Sequence, residues 1–264
     1  MAKQTALYPK ESPLAVKTSR NSLSIGLPKE VSLQESRIAL TPEAVSILVR
    51  NGHNLIVEKG AGEKAKFSDN EYSEAGAQIA QSPQEVYNEA NLILKVEPLV
   101  ESEFAYVKSG STVISALNLP SHDRAYFEKI NSKQLTTFGY EYIEDQAENM
   151  PIIRSMSEIA GSAVMLIAGE YLSNAANGRG IILGGITGVP PTKVVMLGAG
   201  TVTEYAVRTA LGMGADVKVF DKHLYKLQRL KYSVGQHIYT SIIDSDTLAE
   251  AIQRADVVIG AMRA

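Results

Sequence analysis

With 264 residues, 45% of them hydrophobic, the chain can form one large domain or two of ordinary size. A formal net charge of -3 leaves no polycationic footprint, so nucleic acid is not expected as a partner. The absence of cysteine excludes disulfides, thiolate metal sites and a cysteine nucleophile, and fits a reducing, cytoplasmic setting.

The first 22 residues, polar and broken by prolines, read as a flexible tail without the apolar stretch of a signal peptide. SIGLPKE predicts a strand entering a turn, and TPEAVSILVRNGH a helix with Thr41 as N-cap and Pro42 as its first residue. NLIVEKG is a strand that ends in the turn Gly60-Ala61-Gly62. SPQEVYNEA predicts a helix, NLILKVEP and STVISALNL strands, SHDRAYFEKINS a helix and QLTTFGYEYI a strand. Strands alternating with helices at this spacing predict a largely parallel α/β sheet.

From Pro151 the character changes. MPIIRSMSEIAGSAVMLIAGEYLSNAAN reads as one long helix rich in Ala and Gly, followed by a Gly/Pro-rich connection. Its longest apolar run, between Glu158 and Glu170, is too short to span a bilayer, so no membrane insertion is expected. The domain boundary is placed here: residues 23–152 form a first domain and 153–264 a second, which begins with a helix bridging two lobes. From Lys193 the pattern restarts as strand, helix, strand, helix, strand, helix and strand. Four strands of a Rossmann-type sheet are visible where six are usual, which predicts an incomplete domain.

KVVMLGAG, opening a helix and followed by the strand VKVFD, is how a dinucleotide site is written. Gly198 permits the tight turn. Gly200 lets backbone approach a pyrophosphate, which then meets the helix N-terminus at Thr201 and Val202. Asp221 can hydrogen-bond both hydroxyls of an adenosine ribose and would repel a 2′-phosphate, favouring NAD over NADP. Lys226, on the following helix, is in reach of the adenosine or is a solvated helix lysine. Thr203 stands where the fingerprint has a third small residue, a packing position, and is expected to shift the helix slightly without abolishing binding.

GLPKE, ESRIALTPEAV, NGHNLIVEKGAGE, ILKVEP, MSEIAG and GGITGVPP occur in one order. In that order they resemble the alanine dehydrogenases and the NAD-binding component of proton-translocating transhydrogenases, from about Gly26 to Ala264. The resemblance implies two α/β lobes around a cleft: an N-terminal catalytic lobe, flavodoxin-like or Rossmann-like, and a Rossmann-type NAD lobe whose completing segment would follow Ala264. That segment would also carry the family's catalytic aspartate.

The resemblance further implies that Arg37 holds a substrate carboxylate, as a planar guanidinium suits. Lys95 would contact substrate, with Glu97 as the other candidate for the place of a second lysine. Asn118 stands where the dehydrogenases have a catalytic histidine. His122 is expected one turn into the next helix, facing elsewhere. Ser157 would contact the cofactor or cap its own helix, and Met262 would touch the cofactor mainly through backbone. The implied activity is interconversion of L-alanine with pyruvate and ammonia, in a homo-oligomer, a hexamer by resemblance. The alternatives are the NAD(H)-binding component of a transhydrogenase and a non-catalytic NAD-binding protein.

Overall fold

The computed structural model describes residues 22–262, so nearly all of the predicted tail lies outside the described residues. The chain divides into two compact units, the first ending at Tyr140 and the second beginning at Glu141.

In the first unit, β1 (Ser24–Leu27) and β2 (Asn54–Glu58) flank α1 (Pro42–Arg50). The Thr41 hydroxyl accepts from the Ala44 amide and Pro42 opens α1, as expected from the sequence. Then come α2 (Asp69–Glu74), β3 (Gln78–Ala80), α3 (Pro83–Glu89), β4 (Leu92–Leu94), β5 (Thr112–Ser115), α4 (Arg124–Ser132) and β6 (Thr136–Gly139). The six strands pair in parallel in the order β3-β2-β1-β4-β5-β6. That is the doubly wound order of dinucleotide folds, the Rossmann-like of the two expected architectures.

Side-chain alternation divides the core between the two faces of this sheet. Ile25, Leu27, Leu55 and Val57 meet Val45 and Tyr72 on one face. Ile56, Ile93 and Val113 meet Val86, Tyr87 and Ile130 on the other. The helix α3 lies close over β1 because Gly26 has no side chain; a Cβ there would sit 2.8 Å from both Ala90 and Val86.

The second unit opens with α5 (Pro151–Leu172). The predicted helix was longer; the chain leaves it at Ser173 and turns through Asn177 in the left-handed region. Then follow β7 (Lys193–Leu197), α6 (Thr201–Gly212), β8 (Asp216–Asp221), α7 (Leu224–Val234), β9 (Tyr239–Ile242), α8 (Ser245–Gln253) and β10 (Val257–Gly260). The strands are parallel in the order β10-β7-β8-β9.

One 18-residue stretch of α5, of mean hydropathy 1.3, is long and apolar enough to cross a membrane. One face of it packs within unit two. Met165 is fully buried against β7 and α6, and Gly161 lies so close to α6 that a Cβ would stand 2.2 Å from the Val202 carbonyl oxygen. Gly161→Val should therefore cost about 2 kcal/mol or more of unit-two stability. Chemical denaturation of the variant checks this, and an unchanged midpoint would contradict the tight seam.

Candidate functional site

Each sheet reverses its winding beside its first strand. In unit two the reversal falls between β7 and β10, and a ligand crevice is expected at the carboxyl ends of those strands. Gly198 occupies that position with φ +105°, and a Cβ on it would lie 2.5 Å from the Ala261 carbonyl oxygen and 3.0 Å from the Met262 Cγ. Only glycine fits. A Cβ on Gly200, by contrast, would meet nothing within 4 Å, so open space faces the backbone there. Gly200 is the N-cap of α6 and supplies no capping side chain, which leaves the first-turn amides of Thr201 and Val202 without a side-chain acceptor.

Three side chains fix this turn. Asp221, 5% exposed at the end of β8, accepts from the Ala199 amide through Oδ2 and from the His223 amide through Oδ1, both at 2.7 Å. Arg229 on α7 donates to the Ala199 carbonyl at 3.4 Å. The Thr203 hydroxyl, buried on α6, donates to the Gly198 carbonyl at 2.7 Å. The position that departs from the fingerprint thus pins the loop as well as packing the helix. A dinucleotide fits these residues: a helix N-terminus with open backbone for a pyrophosphate, and a carboxylate at the end of the second strand for a ribose. Each Asp221 oxygen, having accepted one amide, retains a lone pair for such a hydroxyl.

Lys226 lies in the first turn of α7, half-buried. Met262, exposed, stands beside Gly198 at the end of β10. Ser157 lies inside α5, beyond its first turn, so it cannot cap a helix that starts at Pro151. It sits one turn before Gly161 on the same helix face, the face that meets α6 at Val202.

In unit one the reversal falls between β1 and β4. The loops after these strands carry Glu30, Glu35 and Arg37, and Lys95 and Glu97. A cavity of about 330 Å³ lies at the loops, lined by Glu30, Lys95, Glu97, Pro98, His122 and Tyr126 among others. Lys95 is 1% exposed. Its ammonium donates to Glu103 Oε1 at 2.6 Å and lies 3.3 Å from Glu30 Oε2. Glu103 also accepts from the Tyr87 hydroxyl at 2.8 Å, and Glu30 from the Val96 amide at 2.6 Å. Burial and the neighbouring Glu103 charge push the Tyr87 hydroxyl far up, so it stays a neutral donor. The strand-end lysine is therefore the centre of a buried ion cluster that ties the loop after β4 to the loop after β1.

Arg37 grips Glu35 with two bonds, from Nε to Oε1 at 2.8 Å and from the terminal nitrogen to Oε2 at 2.6 Å. That grip lowers the Glu35 carboxyl to about 2. The Glu97 carboxyl is held above its ordinary value by burial and then by the Glu35 charge. Asn118, three residues beyond β5, takes the left-handed region, φ 44°, which asparagine tolerates better than most residues. Its carbonyl accepts from the Ser121 amide and hydroxyl.

The expectation for His122 is corrected. The residue precedes the Asp123 N-cap of α4 instead of lying within the helix, and its ring stacks on Tyr126 at 3.8 Å between centroids. It lines the same cavity as Lys95 and Glu97. Its Nε2 is buried with no hydrogen-bond partner. Glu103 and Glu30, the partners of Lys95, were not singled out from the sequence; an acidic residue in GLPKE, next to a strand reversal, was the available signal for Glu30. Among the described residues no cluster of three or more His, Asp or Glu side chains could hold a metal ion.

The comparisons with known proteins agree with this arrangement. The model for the alanine dehydrogenase/PNT N-terminal domain matches residues 26–160, and that for the C-terminal domain residues 163–264. The chain belongs to the alanine dehydrogenase/PNT family. It is 37% identical over 238 residues to an alanine dehydrogenase of Mycolicibacterium smegmatis, covering 90% of this chain and 64% of that protein. Against an alanine dehydrogenase of Methanococcus maripaludis the identity is 35%, covering 89% and 63%. The chain thus spans less than two thirds of the length of these relatives. Among solved structures, an L-alanine dehydrogenase superposes with TM-score 0.81 at 33% identity, covering 89% of this chain and 65% of that one. A transhydrogenase from Sinorhizobium meliloti gives 0.76 at 27% identity, covering 90% and 69%.

Gly198→Ala should cut dinucleotide affinity at least about tenfold, since the added methyl clashes with Ala261 and the positive φ is strained. Titration calorimetry with NADH measures it, and unchanged affinity would refute the placement. In unit one, the lowered Glu35 pKa contributes stability that is complete above about 4.5 and lost as pH falls towards about 2. Arg37→Ala should flatten the stability–pH curve in that acid window, measured by urea denaturation at a series of pH values.

Proposed function

We propose that the chain is the substrate lobe and the nucleotide lobe of an NAD-dependent alanine dehydrogenase, interconverting L-alanine with pyruvate and ammonia. The observation that carries the reading is the turn Gly198-Ala199-Gly200, open above Gly200 and latched to Asp221 at the strand reversal. Bound NAD supplies hydride acceptance and donation, chemistry that no side chain provides. Thr201 and Val202 amides hold the pyrophosphate, Asp221 the adenosine ribose, with Lys226, Ser157 and the Met262 backbone at its edges. The compact, anionic Asp221 side of the crevice favours NAD over a 2′-phosphorylated cofactor.

In unit one, Arg37 orients the keto acid by its carboxylate. Glu35 already occupies two of its donors, so the substrate uses the remaining guanidinium edge or displaces Glu35. Lys95 acts from behind, holding Glu30 and Glu103 and so fixing the loop that carries Glu97. A homo-oligomer, hexameric by family resemblance, in the cytoplasm belongs to the same reading.

Asn118 favours a second reading. An amide polarises a carbonyl but cannot exchange a proton near neutral pH, and an NAD(H)-binding component of a transhydrogenase needs no such exchange. Loss of NADH absorbance with pyruvate and ammonium, measured on the protein at its full natural length, tests the first reading. Turnover supports it. Hydride exchange seen only after adding an NADP-binding membrane partner would replace it with the second.

A further inference from the structure

Among the described residues, three buried side-chain polar atoms have no hydrogen-bond partner: Glu30 Oε2, Ser115 Oγ and His122 Nε2. Two of them belong to residues that line one cavity, the space of about 330 Å³ at the loops after β1 and β4. Such atoms are rare in folded proteins, and each calls for a partner. We propose that this cavity is the ammonium site, with Glu30 and His122 as hydrogen-bond acceptors for the nitrogen substrate. The inference rests on the alanine dehydrogenase reading and names where its second substrate sits.

Glu30 is 7% exposed, and its two oxygens are used unequally. Oε1 accepts from the Val96 amide at 2.6 Å. Oε2 stands 3.3 Å from the Lys95 ammonium, near enough for charge attraction but not aligned for a hydrogen bond. Lys95 gives its short bond, 2.6 Å, to Glu103 instead. The His122 ring is held by stacking on Tyr126, 3.8 Å between centroids and 10° between planes, and by an edge contact with Phe127. That clamp fixes the ring and leaves Nε2 without a partner. Both orphan atoms are enclosed, so a donor reaches them from the cavity after a small turn of each side chain.

Charge decides what the partner is. One lysine with two carboxylates, Lys95 between Glu30 and Glu103, leaves one negative charge in excess. Glu97, half-buried on the same wall, adds a carboxyl, whereas Glu101 is already paired with Lys129. A buried excess of negative charge is costly until a cation meets it. An ammonium ion brings its charge and several N–H donors in one water-sized group, so a carboxylate oxygen and an imidazole nitrogen can both accept from it. A bare metal cation of the hard type favours oxygen ligands and matches this mixed pair less well. An ion of water size fills about 30 Å³, which leaves most of the cavity to a small keto acid. Val31 and Ser32 of the wall lie on the loop between β1 and α1 that also carries Arg37, so one loop serves both substrates.

The test uses the protein at its full natural length. His122→Phe keeps a flat ring against Tyr126 and removes the nitrogen. Glu30→Gln keeps the shape and removes the charge. In pyruvate amination, His122→Phe should raise the KM for ammonium about tenfold, the loss of one hydrogen bond to a charged group, with the KM values for pyruvate and NADH within about twofold of the parent. Glu30→Gln should raise the ammonium KM at least as much. An ammonium KM unchanged in His122→Phe, or a matching rise in its KM for pyruvate, would overturn the proposal.

A second readout does not need turnover. The nitrogen NMR line of isotope-labelled ammonium chloride should broaden on adding the parent protein with NADH bound. Methylammonium, which keeps N–H donors, should reverse the broadening, and tetramethylammonium, which has none, should not. His122→Phe should lose most of it. No broadening with the parent, or equal broadening with His122→Phe, would also overturn the assignment. If the parent binds ammonium in this way yet turns over no pyruvate, the dehydrogenase reading fails while the ammonium site stands. Turnover with an ammonium KM indifferent to both variants leaves the reading and removes the site.

Discussion

The constraint on which the rest depends is the reversal of winding beside the first strand of each sheet. A right-handed crossover sends successive strands to one side of β1 and of β7, and a later crossover goes to the other side. The two loops that part company at that point cannot cover each other, so backbone and side chains at the carboxyl ends stay accessible to a ligand. Every residue with a chemical role in this account lies at or near one of the two reversals or is packed behind it. The sheet order β3-β2-β1-β4-β5-β6 and the order β10-β7-β8-β9 are therefore functional statements as much as topological ones.

The two crevices are stiffened in opposite ways. In unit two the loop is held by polar side chains acting on backbone: Asp221 and Arg229 on the two ends of the Ala199 peptide environment, Thr203 on Gly198. The side chains of the loop itself are small, which leaves the surface to a phosphate. In unit one the loops are held by charge on charge, with Lys95 between Glu30 and Glu103 and Arg37 on Glu35. Burying a lysine with two carboxylates and a tyrosine is costly unless each group is bonded, and removal of one partner leaves the others exposed to that cost. The cluster is thus better suited to fixing loop geometry than to adding stability. It leaves Arg37 and Glu97 as the less buried charged groups of these loops.

Much of the framework was legible in the sequence because the signals were local. Thr41 and Pro42 mark a helix start within two residues, and Gly198, Gly200 and Asp221 sit at spacings set by one strand–turn–helix–strand unit. β3 and α2 were not read: three residues of strand carry no periodicity, and the helix from Asp69 to Glu74 is mostly polar, defined by the Ser68–Glu71 capping box. The resemblance gave Lys95 a substrate contact; its burial between carboxylates was not legible because Glu30 lies far away in sequence and meets it through the sheet pairing of β1 with β4. His122 was placed inside a helix because the cap at Asp123 was overlooked, and a shift of one turn sends a ring to a different face. Thr203 was read as a packing compromise; that its hydroxyl reaches the Gly198 carbonyl follows from the geometry of the turn, which spacing does not encode.

The central claim, that the turn after β7 and the acid ending β8 form one dinucleotide crevice, is tested most directly by a crystal structure of the protein with NADH bound. The account predicts the pyrophosphate on the Thr201 and Val202 amides above Gly200, and the adenosine ribose hydroxyls on Asp221. A nucleotide bound with its phosphates away from the N-terminus of α6, or with Asp221 still wholly enclosed and out of reach of the ribose, would contradict it.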